Sequence, residues 1–276
     1  MLKWLDLLKL LFVSSLVLSC SDRLSTDTYS NSQLPEDIID TLVVAHWNIG
    51  HFSLGTSSST KIKKEDAQSM IKEYHSLLDT LGATMIGVCE YEPFFSLAGE
   101  DTRFALFDHF KYRSIGHKYS YNCNALFSTI PIESSHIRLF PESVQSRYYL
   151  ESTIIINGVE VLFIETHLDW NEGSNGASLR ASQLSVLVDK FSQYPHIIIC
   201  GDFNVSNDSE FSSFLKAGFS MANLDTHGVF YTYPSEAPSQ AIDNIIVKGF
   251  KIDRVDAIND MRLSDHLLLR ASLVFL

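Results

Sequence analysis

The chain has 276 residues, 45% of them hydrophobic, and a formal net charge of −12. This is enough apolar material for one large core, and one domain is the expected organisation. The acidic balance, with no clustered Lys/Arg run, lacks the electrostatic footprint of a tight, sequence-independent nucleic-acid binder.

The first twenty residues, MLKWLDLLKLLFVSSLVLSC, set Lys3 and Lys9 ahead of an apolar run from Leu10 to Leu18. The run is too short to span a bilayer as a helix, so the segment reads as an export signal. Ser19 directly before Cys20 resembles a bacterial lipoprotein processing site, which makes Cys20 the expected lipidated residue. An ordinary signal peptide and a buried N-terminal helix are the alternatives. The expected location is therefore a membrane-anchored lipoprotein outside the cytoplasmic membrane, facing the periplasm or the cell surface. Residues 21–40 are polar, rich in Ser, Asp and Thr, and lack periodicity, which predicts a flexible tether. The folded domain is expected over residues 41–276.

From there short apolar runs rich in β-branched and aromatic residues recur: LVVAHW, MIGVC, NALFS, STIII, VEVLFIET, HIIIC, IDNIIV and LLLRASLVF. They predict at least eight strands. Between them Ala67, Met70, Ile71, Tyr74, Leu77, Leu78 and Leu81 follow helical spacing and stop at Gly82. A second helix is expected with Leu184, Leu187, Val188 and Phe191 on one face, and a short third one with Phe211, Phe214 and Leu215 ending before Gly218. Many strands in partly hairpin order with few helices predict two packed sheets flanked by helices. Besides Cys20 three cysteines remain, Cys89, Cys123 and Cys200, an odd number without metal-binding spacing. No disulfide framework is expected, and Cys89 and Cys200, at the ends of apolar runs, read as small hydrophobes.

The informative feature is where polar residues fall. Asn48, Glu90, His167, Asp202 with Asn204, and His266 each sit at or just beyond the end of an apolar run. Burying a carboxylate or imidazole is unfavourable by several kcal/mol unless it is paired or ligates a metal, so the repetition asks for one cause, and convergence on a cation supplies it. Singly, each residue has a plainer reading. Asn48 could cap a turn, Glu90 could be solvated, His167 could be a satisfied structural histidine, Gly201–Asp202 could be a strand-to-loop turn, Asp265–His266 a loop pair and Asp243 an edge-strand carboxylate. It is their joint occurrence in order that the plain readings do not explain.

Taken together, WNIGHF, GVCEYE, YNCNALFSTIPI, ETHLDW, CGDFN, YTYPS with AIDNIIV, and SDH at 264–266 resemble the endonuclease/exonuclease/phosphatase superfamily over roughly residues 42–275. The resemblance implies an α/β (α+β) four-layer αββα sandwich of two mainly antiparallel sheets, and metal-assisted hydrolysis of a phosphoester. It implies that Glu90 and Asn48 form the divalent-cation site with Asp265 as a further oxygen ligand, the ion being Mg²⁺ or Mn²⁺. Oxygen donors without thiolate suit such hard cations, and a bound cation explains why an acidic protein could act on phosphate. It implies that Asp202 orients or deprotonates the attacking water while Asn204 steadies water or phosphate, their i, i+2 spacing aiming both the same way on an extended backbone. His266, held by Asp243, and His167 would contact the phosphate, with the assignment of acid and stabiliser open. Asn124 matches a supporting asparagine, and Arg180 matches a helix-start arginine but reads equally well as a solvated helix residue.

The substrate stays open, because the matched residues serve the phosphate and not the leaving group. Asp243 is followed by Asn244 where inositol polyphosphate 5-phosphatases carry an Asp-Arg pair, which argues against that subfamily, and the charge balance argues against abasic-site enzymes. Nucleic acid, phospholipid and an extracellular small phosphoester remain as substrates. The aromatics from Tyr91 to Tyr121 (Tyr91, Phe94, Phe95, Phe104, Phe107, Phe110, Tyr112, Tyr119 and Tyr121) could stack on bases, line an acyl or sugar pocket, or pack the core. The lipid on Cys20 is the expected membrane partner; a monomer without an obligate protein partner is expected. The competing class is a surface binding module that kept the sandwich and lost hydrolysis.

Overall fold

The computed structural model describes residues 38–276 apart from 53–63, 94–95, 98–99, 102–105, 117–121, 142–146, 172, 206 and 259–262, with side chains at 64–68, 96–97 and 100–101 also outside the description. The export segment, Cys20 and most of the tether therefore lie outside the described residues, as do Phe94, Phe95, Phe104, Tyr119, Tyr121 and the side chain of Ala67. Among the described residues no helix is long and apolar enough to cross a membrane.

Among the described residues two six-stranded sheets form the domain. The first holds β1 (Leu42–Asn48), β2 (Met85–Tyr91), β5 (Tyr112–Ile115), β6 (Cys123–Ser128), β13 (Phe250–Ile258) and β14 (Leu268–Phe275), in the order β13-β14-β1-β2-β6-β5. The second holds β7 (Ile132–Leu139), β8 (Tyr148–Ile156), β9 (Val159–His167), β10 (Ile197–Asp202), β11 (Ser220–Met221) and β12 (Asp243–Lys248), in the order β11-β12-β10-β9-β8-β7. A small hairpin of β3 (Ser96–Leu97) and β4 (Glu100–Asp101) stands apart. All pairings in the large sheets are antiparallel except β1–β2 and β9–β10. These two parallel pairs have a topological need for a crossover, met by α1 (Lys64–Leu81) and α2 (Gly173–Phe191). The expected two-sheet sandwich is the observed one.

The eight apolar runs are all strands. The ones the periodicity overlooked, β5, β7, β11 and β13, are the four edges of the two sheets. An edge strand is covered on fewer sides, so it tolerates polar residues and loses its apolar signature: in β7 only Ile132, Ile137 and Leu139 are apolar, and most of the strand is exposed.

Three apolar clusters divide the interior. Leu42, Val44, Met85 and Leu126 from the first sheet meet Phe163, Ile198 and Val247 from the second between the sheets. Met70, Tyr74, Leu77, Leu78 and Leu81 of α1 share a cluster with Trp47, Ile86, Val88 and Phe127. Leu184, Leu187 and Phe191 of α2 share another with Ile164, Ile197 and Ile246. The alternation along β1 and β10 places successive residues in different clusters, as a strand buried on both faces requires. α3 (Ser212–Lys216) follows a 3-10 turn at Asp208–Phe211; Phe211 and Phe214 are buried, but Leu215, expected on the same apolar face, is 42% exposed. Leu215 lies about 100° around the helix from Phe214, on the side of this short helix that is turned to solvent.

At the N-terminal side the backbone amide of Ile39 donates to Asn157 Oδ1 at 3.0 Å, and Asn157 Nδ2 donates back to the Ile39 carbonyl at 2.9 Å. The chain is thus tied to the sandwich shortly before β1.

Candidate active site

At one end of the sandwich the strands run out into an open cleft of about 340 Å³ lined by Asn48, Glu90, His167, Asp202, Asn204, Asp265 and His266, together with Arg180, Trp170, Asn171, Tyr233, Gln240 and Ile242. Strand register explains why the polar residues meet. Asp202 is opposite His167 on one side and Asp243 on the other, and Asn48 ends the strand paired with β2. Asn48, His167 and Asp202 are the last residues of their strands and Asp243 the first of its own, so all four stand at the same end of the sandwich.

Asp202 is the hub. Its Oδ2 accepts from Asn48 Nδ2 at 3.0 Å and lies 3.6 Å from His167 Nε2 and 3.8 Å from His266 Nε2. Its Oδ1 accepts the backbone amide of Asn204 at 2.9 Å. Burial and the charge of Asp243 push the Asp202 carboxyl up to about 6, against the pull of His266 and the donors from Asn48 and Asn204. Asn204 is not on an extended backbone as its spacing suggested: its φ is 52°, the strand having ended at Asp202, and its Nδ2 donates to the Leu168 carbonyl at 3.2 Å. The Asp202–Asn204 turn, closed by the carboxylate itself, replaces the expected strand geometry.

His266 comes from the loop before β14, and that loop is sewn to β1. Ser264 Oγ donates to the Asn48 carbonyl at 2.7 Å, the His266 amide donates to Ser264 Oγ at 3.1 Å, and Trp47 Nε1 donates to the His266 carbonyl at 3.1 Å. The ring's Nδ1 lies 2.8 Å from Asp243 Oδ2; a carboxylate only accepts, so the ring donates and its Nε2 faces the cleft. Tyr233 packs against the ring at 4.8 Å between centroids. Burial alone would lower the His266 pKa, but the charge and hydrogen bond of Asp243, with Asp202 and Asp265 behind it, lift it to about 9. Asp243 is conversely held well below the usual carboxylate range: burial opposes this, and the imidazoles of His266 and His46 overcome it. His167 goes the other way, because burial and then the positive charges of Arg147 and His266 hold it well below 6.5.

Glu90 reaches the cleft by a backbone irregularity. Alternation along β2 would turn it with Ile86 and Val88 toward the helix α1 side, but its φ is 53° and the β2–β6 register slips between Val88 and Tyr91. The carboxylate thereby comes 3.1 Å from His51 Nε2 and 3.8 Å from His167 Nδ1. A positive φ at a non-glycine costs roughly 1 kcal/mol or more and persists where the surrounding structure over-determines it.

Asp265 packs so closely on Gly50 that a Cβ there would lie 2.6 Å from Asp265 Oδ1. Asn48 Oδ1 accepts from the Gly50 amide at 3.0 Å, which brings Asn48 and Asp265 to the same side of the cleft. With Glu90 they make an all-oxygen donor set free of thiolate, which fits a hard divalent cation that keeps several waters. Arg180 lines the cleft from α2, its Nη1 donating to the carbonyls of Asp169 and Asn171. Asn124 does not reach the cleft lining. Its Nδ2 donates to the Tyr148 carbonyl at 3.0 Å and its amide to the Tyr148 hydroxyl at 2.8 Å, so what it supports is the β6–β8 contact. Among the aromatics, Tyr91, Phe107 and Phe110 are buried in the core and Tyr112 is half-buried in an edge strand.

Sequence reasoning missed His46 and Glu165, which lie directly beneath this layer and are wholly buried. His46 Nε2 is 3.0 Å from Asp243 Oδ1, and its Nδ1 is 3.0 Å from Glu165 Oε1 without the alignment of a hydrogen bond. Burial opposes charge on His46, but Glu165 and Asp243 lift its pKa to about 10. The available signal was a charged residue inside each of LVVAHW and VEVLFIET, two places before Asn48 and before His167. Ligand-type atoms of His46, Cys89 and Glu165 lie within 4.8 Å of one another, as do those of Asp202, Asp243 and His266. Cys89, Cys123 and Cys200 are buried and form no disulfide.

A two-sheet sandwich with a cleft of carboxylates, amides and histidines at its strand ends defines a metal-assisted phosphoester hydrolase. The chain belongs to the Endonuclease/Exonuclease/phosphatase family, whose model matches residues 45–266, and it is a metal-dependent phosphoesterase of that type. No curated protein sequence matches it. Among solved structures, the human Nocturnin catalytic domain with a bound sulfate anion is similar with a TM-score of 0.66 at 17% identity, over 86% of this chain and 95% of that one. An endonuclease/exonuclease/phosphatase family protein from Bacteroides thetaiotaomicron is similar with a TM-score of 0.64 at 18% identity, over 85% of this chain and 95% of that one. D. rerio TDP2 complexed with a single-strand DNA product is similar with a TM-score of 0.64 at 17% identity, over 84% of this chain and 98% of that one.

Proposed function

We propose that the protein is a Mg²⁺- or Mn²⁺-dependent phosphodiesterase, exported and anchored through Cys20, acting on a phosphodiester outside the cytoplasmic membrane. The observation that carries the catalytic part is Asp202 set between two cleft-lining histidines, 3.6 Å from His167 Nε2 and 3.8 Å from His266 Nε2. Export and anchoring are supported by the first twenty residues alone.

Asn48, Glu90 and Asp265 would hold the cation, which when bound supplies a Lewis acid for the phosphoryl oxygens and local positive charge. Asp202 takes the proton of the attacking water; a carboxyl raised to about 6 is a better base near neutral pH than an ordinary aspartate. The water oxygen bonds to phosphorus as the bond to the leaving oxygen breaks in line, a step that needs mainly positioning and charge neutralisation. His266, protonated on Asp243, presents Nε2–H to the phosphoryl group or leaving oxygen, and His167, neutral, contributes a hydrogen bond from the opposite side. Arg180 adds a fixed cation to the cleft wall, and Trp170, 66% exposed at the rim, offers a flat surface to the alcohol part of the substrate.

The D. rerio TDP2 likeness makes a single-stranded nucleic acid one substrate to test; a phospholipid headgroup and a small diester are the others. The test is hydrolysis by the full-length protein of bis-p-nitrophenyl phosphate, single-stranded DNA, sphingomyelin and a phosphomonoester, with Mg²⁺, with Mn²⁺ and with chelator. Chelator-sensitive cleavage of a diester that disappears in His266→Ala supports the reading. Metal-independent binding without turnover would instead make the protein a surface binding module.

A further inference from the structure

The layer below the cleft is chemically odd. His46 and Glu165 sit between the sheets with 1% and 0% exposure, where the neighbouring rows hold Val44, Phe163 and Ile198. Room for the Glu165 carboxylate exists because residue 87 is glycine: a Cβ there would stand 1.8 Å from Glu165 Oε2. Replacing a buried ion pair by apolar residues of similar volume is often neutral for stability, since the pair recovers its desolvation penalty only in part. The pair therefore needs an explanation other than stability, and its contacts supply one.

Asp243 uses both oxygens. Oδ2 receives His266 Nδ1 at 2.8 Å and the Thr232 hydroxyl, while Oδ1 receives His46 Nε2 at 3.0 Å. A carboxylate bound at one oxygen can swing about its side-chain torsion; bound at both, it cannot. Glu165 Oε1 stands 3.0 Å from the far nitrogen of His46, so the ring has a carboxylate at each of its two nitrogens.

We propose that His46, oriented by Glu165, is a positioning residue that locks the Asp243 carboxylate and through it aims His266 Nε2 at the phosphoryl group. This rests on the reading of the cleft as a phosphodiester-hydrolysing site. The line Glu165–His46–Asp243–His266 carries orientation from the sandwich interior to the cleft, and His46 itself touches no substrate.

The test compares three full-length variants in a metal-saturated assay on the best substrate of the panel. In H46L/E165L both buried charges are replaced together, so no unpaired one is left. The melting temperature is expected to hold or rise while kcat falls about 10- to 100-fold with KM little changed, the loss typical of outer partners of a site. H46Q/E165Q keeps a neutral donor for Asp243 and is expected to recover most of that loss. Added to D243N, H46L/E165L is expected to cost less than about 3-fold further, because residues acting through one another are not additive. A folded H46L/E165L with wild-type kcat overturns the proposal, and so does full additivity with D243N.

A crystal structure of H46L/E165L reads the same point without turnover: His266 displaced from its Asp243 contact supports the lock, and His266 unmoved refutes it. Turnover absent from the wild-type protein itself would sink the functional reading, and this structural readout would still decide the positioning. Should H46L/E165L fail to fold, H46N/E165Q, whose shorter amide withdraws from Asp243 without leaving a buried charge unpaired, is scored by the same two readouts. A stoichiometric transition metal in the purified protein that is lost in C89A would give His46, Cys89 and Glu165 a ligand of their own and overturn the assignment.

Discussion

The row at the cleft floor (Asn48, His167, Asp202 and Asp243) and the row one pleat below it (His46, Glu165, Cys200 and Ile245) stand on the same four strands, two residues apart, and obey different physics. In the upper row burial moves Asp202 up and His167 down from their ordinary pKa values, and Asn48, His167 and Asp202 line the cleft. In the lower row the charges are sealed in the interior, with His46 between the carboxylates of Glu165 and Asp243 and away from the cleft. The lesson is that polarity alone does not mark an active site in this fold: what distinguishes the two rows is access to the cleft, which Asn48, His167 and Asp202 line and His46, Glu165, Cys200 and Ile245 do not. The upper-row groups that line the cleft can reach a phosphate there, which is what the reaction requires.

Substitutions can separate the rows. Asp202→Asn is expected to lower kcat by about 10³-fold or more, as loss of a general base and its charge does. In chelator at pH 8 the same change is expected to raise stability by about 1–2 kcal/mol. The folded-state pKa of about 6 lies above the ordinary value of 3.8, so ionisation is disfavoured in the fold, and stability from this group is present below 3.8 and lost as pH rises through 6. Urea unfolding with a kcat measurement on the same sample checks both; a variant that is inactive and also less stable would place Asp202 with the lower row.

Gly87→Ala probes the lower row directly. With a Cβ 1.8 Å from Glu165 Oε2, either Glu165 leaves His46 or the sheets part, and a loss of about 3 kcal/mol is expected in urea unfolding. A near-neutral result would show the Glu165 pocket to be loose.

The two imidazoles give a pH dependence of similar size. His266 and His46 have folded-state pKa values of about 9 and about 10 against an ordinary value of 6.5, so the folded state binds protons more tightly than the unfolded chain. Their stabilisation is complete below pH 6.5 and is lost as pH rises through 9 and then 10, on the order of 3 kcal/mol for His266 alone. Chemical denaturation in chelator at about pH 6.5, 8 and 10 should show this decline, and its absence in His46→Gln but not in His266→Gln would assign the larger share to the lower row.

The smallest effect concerns backbone. Glu90→Gly removes the positive-φ penalty at 53° and is expected to raise stability by about 1 kcal/mol while weakening Mg²⁺ binding by about 10-fold or more, read by calorimetry. Unchanged metal affinity would remove Glu90 from the cation site.

What the amino-acid order determined by itself was local and repetitive. Strands buried on both faces announced themselves as apolar runs, and α1 and α2 by helical spacing, because periodicity needs no knowledge of neighbours. The polar residues closing those runs marked the cleft, since a strand's apolar pattern stops where its cover stops. The edge strands β5, β7, β11 and β13 left no such trace, because an edge is half solvated and its polarity resembles a loop's. The tertiary structure alone decided which polar residues pair. His46 meets Asp243 across 197 positions and Trp47 meets the His266 carbonyl across 219, contacts that arise from sheet register and packing. It also decided the turn of Glu90 into the cleft, which a regular strand would have directed away, and the left-handed bend that puts Asn204 against Leu168. Charge states belong to the same class, for whether an imidazole is raised like His266 or lowered like His167 depends on which charges the fold sets beside it once water is excluded.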